Sequence, residues 1–555
     1  MTLKTLATGS LFLAAALLQG ACTTVPAQET RDHSVTLTAG RGIAVVPTTS
    51  GDVQGYVRDG IFTFHGIPYA QAERFAAPQP MAHWDGVRPA MTYGNVCPQP
   101  IDPVAREPQA FLSNTQYWPQ SENCLNLNVW TPATDGAARP VMVWFHGGGF
   151  FSGSSIELPV YDGMRLSQMG DVVVVSVNHR LNILGHLDLS AYGSEFAASG
   201  NVGLVDLVAS LQWVRDNIRA FGGDPDNVTI FGQSGGGGKV STLMGAPSAQ
   251  GLFDKAIVMS GAMGPPDGRT TGQALSRRVA QLVFSLAGLA DGDIAGLRAL
   301  PYDRLEAAGA AALRQASQEI TGEAAGGPLG FPRVNWGPVM DGAFLPAPPW
   351  AGGAPAVSAN VPLLVGSTLS EFQHINPAIA GHEGWSDEQV LQFLGRAYGD
   401  AAPRIADAFR AAYPQAPLSR VVEIDSGGRS GALGMAEAKA MQAAPVYNYL
   451  FAYRSAVLDY GWAAGHTSDV AFVFNNAPLG VQSSGGGPVV DRLTQAMSQA
   501  WINFARSGNP NNPGLPQWPR FTAQNHATMI FEDQSHVGVS HDEALVGLLS
   551  QPRPR

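Results

Sequence analysis

Two runs of β-branched residues, at 172–177 and 228–231, bracket a helical repeat, and that order narrows the fold more than any other feature of the chain. Between them Leu204, Leu207, Val208, Leu211, Val214 and Ile218 recur at helical spacing. Phe-Gly-Gly-Asp-Pro-Asp-Asn at 221–227 is a dense turn signal that stops this helix. Strand, helix, strand is a βαβ unit, which requires a parallel sheet with right-handed crossovers. Such strands are apolar throughout because helices cover both faces of the sheet. Further strands are expected at 141–145, 256–259, 361–365 and 447–452. Short apolar stretches from 43 to 84, broken by glycine and proline, read as a small antiparallel start. Residues 267–345 are alanine-rich and read as a largely helical insertion over the sheet's carboxyl edge, where ligand sites of α/β folds lie.

The chain has 555 residues, with no repeat and no long Ser/Pro-rich or charge-dense tract after residue 35. It therefore reads as one large domain spanning 28–555. Its formal net charge is −11 and it carries no basic stretch, which argues against nucleic acid as a partner. Lys4, the apolar run at 11–18 and the small residues Val25-Pro26-Ala27 read as an export signal, 1–27, cleaved after Ala27. The alternative is a lipoprotein anchored through Cys22. No other run is long enough to cross a membrane. Either export route accounts for Cys22 and places the chain in the periplasm or outside the cell. Cys97 and Cys124 then remain as an even pair in an oxidising compartment, which argues for one disulfide.

The chemistry centres on Gly232-Gln233-Ser234-Gly235-Gly236, directly after a strand. A G-x-S-x-G turn between strand and helix is so tight that Cβ atoms at its outer positions would clash, hence glycine at both. The turn lifts the serine hydroxyl above the sheet, as a nucleophile requires. A second glycine run, His146-Gly147-Gly148-Gly149-Phe150, also follows a buried strand. There, backbone N–H groups can approach a reacting carbonyl and hold an oxyanion. Serine needs a base, and the base needs an orienting acid, in the chain order Ser, Asp or Glu, His. Six histidines follow Ser234: His374, His382, His466, His526, His536 and His541. Spacing alone does not choose among them. Serine chemistry of this kind needs neither metal nor organic cofactor, and no Cys/His cluster has metal-ligand spacing.

The chain resembles the type-B carboxylesterase family, which includes the cholinesterases, from about residue 51 to 531. The resemblance is carried by Phe64-His65-Gly66-Ile67-Pro68-Tyr69-Ala70 with Arg74-Phe75, and by Ser121-Glu122-Asn123-Cys124-Leu125-Asn126-Leu127-Asn128-Val129. Gly200-Asn201-Val202-Gly203-Leu204-Val205-Asp206, the run from 213 to Ser234, Trp501-Ile502-Asn503-Phe504-Ala505 and Trp518-Pro519 extend it. The likeness implies an α/β-hydrolase fold: one mostly parallel central sheet flanked by helices, with helical insertions over the active site. It implies hydrolysis of carboxylic esters of small molecules, without a cofactor; the alternatives are hydrolysis of a related acyl bond (amide, lactone or carbamate) or a non-catalytic adhesion homologue. It places the acid at Glu371, in Gly366-Ser367-Thr368-Leu369-Ser370-Glu371-Phe372, and the base at His466, in Gly465-His466-Thr467-Ser468-Asp469. It also places the oxyanion donors at Gly148, Gly149 and Gly235 and pairs Cys97 with Cys124.

Several positions depart from the family pattern. The usual Glu and Ala beside the nucleophile are Gln233 and Gly235, the usual Asp-Glu-Gly is Ser370-Glu371-Phe372, and Asn123 replaces Asp. Two other carboxylates compete with Glu371. Asp341 sits in an ordinary Asp-Gly turn signal, and Asp469 follows His466 and so breaks the chain order. The expected job of Asp469 is to cap the next helical turn. Phe150, Phe331 and Trp336 are candidate pocket residues, and Tyr117 and Trp118 lie between the two cysteines.

Overall fold

The strands expected from 141 to 452 form the middle of one sheet. The computed structural model describes residues 35–100, 109–263, 270–322, 333–458 and 464–551. The expected export signal and Phe331 lie outside them. Twelve strands make the main sheet: β1 Leu37–Thr38, β2 Tyr56–Arg58, β3 Ile61–Pro68, β4 Asn126–Thr131, β5 Arg139–Phe145, β6 Val173–Val177, β7 Gly223–Gln233, β8 Lys255–Met259, β9 Leu363–Thr368, β10 Val446–Phe451, β11 Ala527–Phe531 and β12 His536–Val539. Their spatial order is β1-β2-β3-β4-β6-β5-β7-β8-β9-β10-β11-β12. Pairing is antiparallel from β1 through β4 to β6, parallel from β6 through β11, and antiparallel at β12. The described residues from Leu37 onward form one compact unit.

Side chains alternate across a strand. Val141, Val143 and Phe145 of β5 therefore face the helix Val202–Asn217, through Leu204, Leu207 and Leu211, in one core. Met142 and Trp144 face the other way, into a core that holds Trp501 and Phe504 of the helix Pro488–Ser507. Both faces are thus covered, which explains the unbroken apolar runs. Each large apolar side chain buried this way contributes about 1.5–3 kcal/mol.

The turn signal at 221–227 stops the helix but does not precede the strand. The strand already begins at Gly223, paired with Arg139. The register then jumps to Val228 against Val141, so Asp224-Pro225-Asp226-Asn227 is accommodated as an irregularity within the ladder. The alanine-rich insertion folds into helices Gln273–Leu286, Ile294–Ala299 and Tyr302–Thr321. They pack on Ile183, Leu184, Leu187 and Leu189, which follow the carboxyl end of β6. Cys97 and Cys124 are bonded, with Cα atoms 5.0 Å apart. Arg74 and Glu122, from the first two family blocks, form a bidentate pair, with Nε to Oε2 at 2.7 Å. Among the described residues, no helix is long and apolar enough to cross a membrane.

Candidate active site

Ser234 occupies the turn between β7 and the helix Gly235–Leu243 with φ 59° and ψ −126°, a backbone conformation L-residues rarely adopt. The surroundings force it. A Cβ on Gly236 would stand 2.0 Å from the Phe145 carbonyl oxygen, and one on Gly232 would stand 2.5 Å from the Gly236 carbonyl carbon. The Ser234 N–H donates to the Met259 carbonyl at 2.8 Å, and the Ser234 carbonyl accepts from Gly238 N–H at 2.9 Å. The hydroxyl is thereby carried to the carboxyl edge of the sheet, half-exposed, at the head of a helix.

Gly148 and Gly149 follow β5 beside this turn. Among the described residues, the N–H groups of Gly148, Gly149 and Gly235 are bonded to no backbone carbonyl. Gly235 packs so closely on Gly149 that a Cβ there would lie 2.1 Å from the Gly149 oxygen. The glycine that replaces the usual alanine is therefore required by this loop's path.

Glu371 is buried just past β9, and His466 lies beside it on the segment after β10. The two segments meet as an isolated parallel bridge between Glu371 and Gly465. Glu371 Oε1 accepts from Thr368 N–H at 3.0 Å, and Oε2 lies 2.5 Å from His466 Nδ1. A carboxylate on Nδ1 leaves Nε2 as the nitrogen free to take a proton. Among the described residues, the Ser234 hydroxyl makes no hydrogen bond to His466. Such bonds are often long without substrate and tighten in the reacting complex.

The His466 ring instead lies against two other side chains. The Gln233 amide nitrogen lies 3.4 Å from both ring nitrogens, hence over the face, and the Phe372 ring packs with centroids 4.3 Å apart and planes tilted 35°. Both flanking residues stand at positions where the sequence departs from the family pattern.

Asp469 starts the short helix Val470–Val473, but its side chain makes no capping bond, contrary to expectation. It points inward and accepts from the Tyr449 hydroxyl at 2.8 Å. Burial pushes its carboxyl up to about 7; the Tyr449 bond opposes this, Glu371 adds to it and His466 opposes it. Asp341 is the turn residue expected, accepting from the N–H groups of Ala343, Phe344 and Leu345. Phe150 packs beside Gly238, edge-on to His186. Trp336 packs with the helical insertion, against Gly309. Trp118 donates to the Ile156 carbonyl at 3.0 Å, whereas Tyr117 is largely exposed. His382, Glu383 and Glu423 cluster with metal-like spacing, but the Arg454 guanidinium already pairs with both carboxylates.

A parallel sheet whose strained serine turn, glycine-rich loop and carboxylate–histidine pair converge on one edge has the form of an α/β-hydrolase. The carboxylesterase family model matches residues 43–544, and the chain belongs to that family. It is 34% identical over 500 residues to the para-nitrobenzyl esterase of Bacillus subtilis, covering 88% of this chain and 95% of that one. It is also 34% identical over 507 residues to human cocaine esterase, covering 83% and 82%. Among solved structures, an esterase of Clostridium hathewayi that can hydrolyse aliphatic aromatic polyesters superposes with a TM-score of 0.83 at 38% identity, covering 93% of this chain and 99% of that one. The protein is a carboxylic-ester hydrolase.

Proposed function

We propose that hydrolysis runs through an acyl-enzyme on Ser234, with His466 as base, Glu371 as its orienting acid, and the backbone N–H groups of Gly148, Gly149 and Gly235 as oxyanion donors. The observation that carries this reading is the Glu371–His466 contact of 2.5 Å at the sheet edge that also holds Ser234. His466 Nε2 takes the hydroxyl proton as Ser234 Oγ bonds to the ester carbonyl carbon. The oxyanion is held by the three amides. As the tetrahedral intermediate collapses, the C–O bond to the alcohol breaks and His466 returns the proton to the departing oxygen. Water then attacks the acyl-enzyme by the same steps, releasing the acid and Ser234.

A fluorophosphonate should label Ser234, read by peptide mass spectrometry. Labelling that persists in Ser234→Ala would show that another residue reacts. Turnover of p-nitrophenyl esters from acetate to decanoate, with an anilide and an aliphatic aromatic polyester beside them, reads the acyl range. A faster rate on the anilide would replace the ester by an amide as the favoured bond.

Export is part of the same reading. A bonded Cys97–Cys124 pair suits an oxidising compartment. The exported protein should begin at Gln28 when its N-terminus is sequenced; a lipid-modified Cys22 would replace this with an anchored form.

A further inference from the structure

Lys239 is the fifth residue after Ser234, on the helix the serine heads, and it is fully buried. An ammonium taken out of water costs several kcal/mol unless it is paired and hydrogen-bonded. Its direct partner is not a side chain. Lys239 Nζ donates to the backbone carbonyl of His146 at 2.8 Å. That carbonyl stands between the end of β5 and Gly147-Gly148-Gly149, so a cation on the nucleophile helix grips the root of the oxyanion loop.

The other end of the loop faces the same charge. Burial lowers the Lys239 ammonium to about 7 and raises the Glu157 carboxyl to about 7, while the attraction between the two opposes both shifts. Among the described residues, the other ionisable groups facing Lys239 are the imidazoles of His146, His179 and His186. Burial holds all three well below the usual histidine range, with the Lys239 charge pushing the same way. Neutral imidazoles leave Glu157 as the counter-charge. Loop 146–157 is also pinned midway. Gln99 accepts from Gly153 N–H at 2.6 Å and donates to its carbonyl at 3.1 Å. A Cβ on Gly153 would stand 2.7 Å from His146 Nδ1 and 3.1 Å from Glu157 Oε1.

We propose that Lys239 is a positioning residue of the oxyanion hole: by binding the His146 carbonyl it fixes the Gly148 and Gly149 amides relative to Ser234, with Glu157 as its counter-charge. This rests on the reading of Ser234 as nucleophile and of those glycines as oxyanion donors. A misplacement of about 1 Å at such a site costs on the order of 10²-fold in rate.

The test uses the full chain and two variants, Lys239→Met, which keeps the length and removes the charge, and Glu157→Gln. Three quantities are read: kcat and KM on p-nitrophenyl butyrate, thermal unfolding, and Ki for an aryl trifluoromethyl ketone, whose serine adduct places an oxyanion in the hole. Lys239→Met leaves the Glu157 carboxylate without its counter-charge and should unfold earlier than wild type, so kcat and Ki are read at temperatures where the variant is still folded. Its kcat should fall roughly 10- to 100-fold and the ketone Ki should rise in step, with KM nearly unchanged. Glu157→Gln should shift kcat and Ki in the same directions by less. Wild-type kcat and ketone affinity in folded Lys239→Met would overturn the proposal. If that variant does not fold, unchanged kcat and Ki in Glu157→Gln overturn it, and a joint change supports it. Fluorophosphonate labelling of the wild type separates the two readings. An unlabelled Ser234 sinks the nucleophile assignment, whereas a labelled Ser234 with an indifferent Lys239→Met sinks only the role of Lys239.

Discussion

Glu371 and His466 are joined twice: the His466 N–H donates to the Glu371 carbonyl at 2.8 Å, and His466 Nδ1 lies 2.5 Å from Glu371 Oε2. The backbone bond fixes where the histidine stands, and the side-chain bond fixes which way its ring turns. Glu371→Gln keeps the first and weakens the second. Steady-state kinetics should find kcat lowered by roughly 10³- to 10⁴-fold with KM little changed. Asp341→Asn, in its turn far from this pair by role, should leave kcat within a few-fold. A large loss in Asp341→Asn with a nearly intact Glu371→Gln would reassign the acid.

If His466 is the base, as proposed, Phe372 gives its imidazole a π face on which the cation formed during turnover can rest. Such contacts contribute about 0.5–1 kcal/mol at exposed sites. Phe372→Leu, which keeps an apolar cover without the π system, should lower kcat roughly two- to five-fold. A kcat equal to wild type would reduce the ring to a packing element.

Gly235→Ala restores the residue usual in the family and should nevertheless harm this protein. The added methyl meets the Gly149 oxygen at 2.1 Å, so either the glycine loop or the serine turn must move. Loss of one oxyanion donor costs roughly 10²- to 10³-fold in kcat, so with Gly235 as a donor, as proposed, its shift should cost at least about tenfold. Unchanged kcat would mean that the loop yields without cost.

Asp469 gives a pH test of stability. Its folded carboxyl titrates at about 7, above the ordinary aspartate value of 3.8. A raised acid is favoured in its protonated form, so the fold pays nothing for it below the unfolded value. The cost then grows as pH rises from about 4 to 7 and stays constant above. Asp469→Asn, whose side-chain oxygen can still accept from Tyr449, should therefore raise Tm at pH 8 and change it little at pH 4. Equal shifts at both pH values would contradict the buried, raised acid.

The Cys97–Cys124 bridge closes residues 27 apart in sequence. The chain-entropy account gives about 3.5 kcal/mol for a loop of that size. Cys97→Ser with Cys124→Ser should lower unfolding stability by up to that amount in denaturant titration, and non-reducing peptide mapping of wild type should recover the linked pair.

The sequence by itself determined the parallel sheet, the serine turn and the glycine loop. Each is a local pattern: a β-branched run buried on both faces, and glycines wherever a Cβ would strike backbone. Family blocks added Glu371 and His466, which lie 95 residues apart and which spacing alone could not join. What only the tertiary structure decided are contacts between segments distant along the chain. The pairing of Gly223 with Arg139 starts a strand inside a run of turn residues, because the neighbouring strand supplies the hydrogen bonds that propensity lacks. Asp469 looked like a cap and turned inward, because Tyr449 of the adjacent strand offers a buried donor. Lys239, a lone charge among glycines and apolar residues, carried a faint signal of burial without a partner. Its partner is the main-chain carbonyl of His146, 93 residues earlier, and a backbone oxygen has no letter in a sequence.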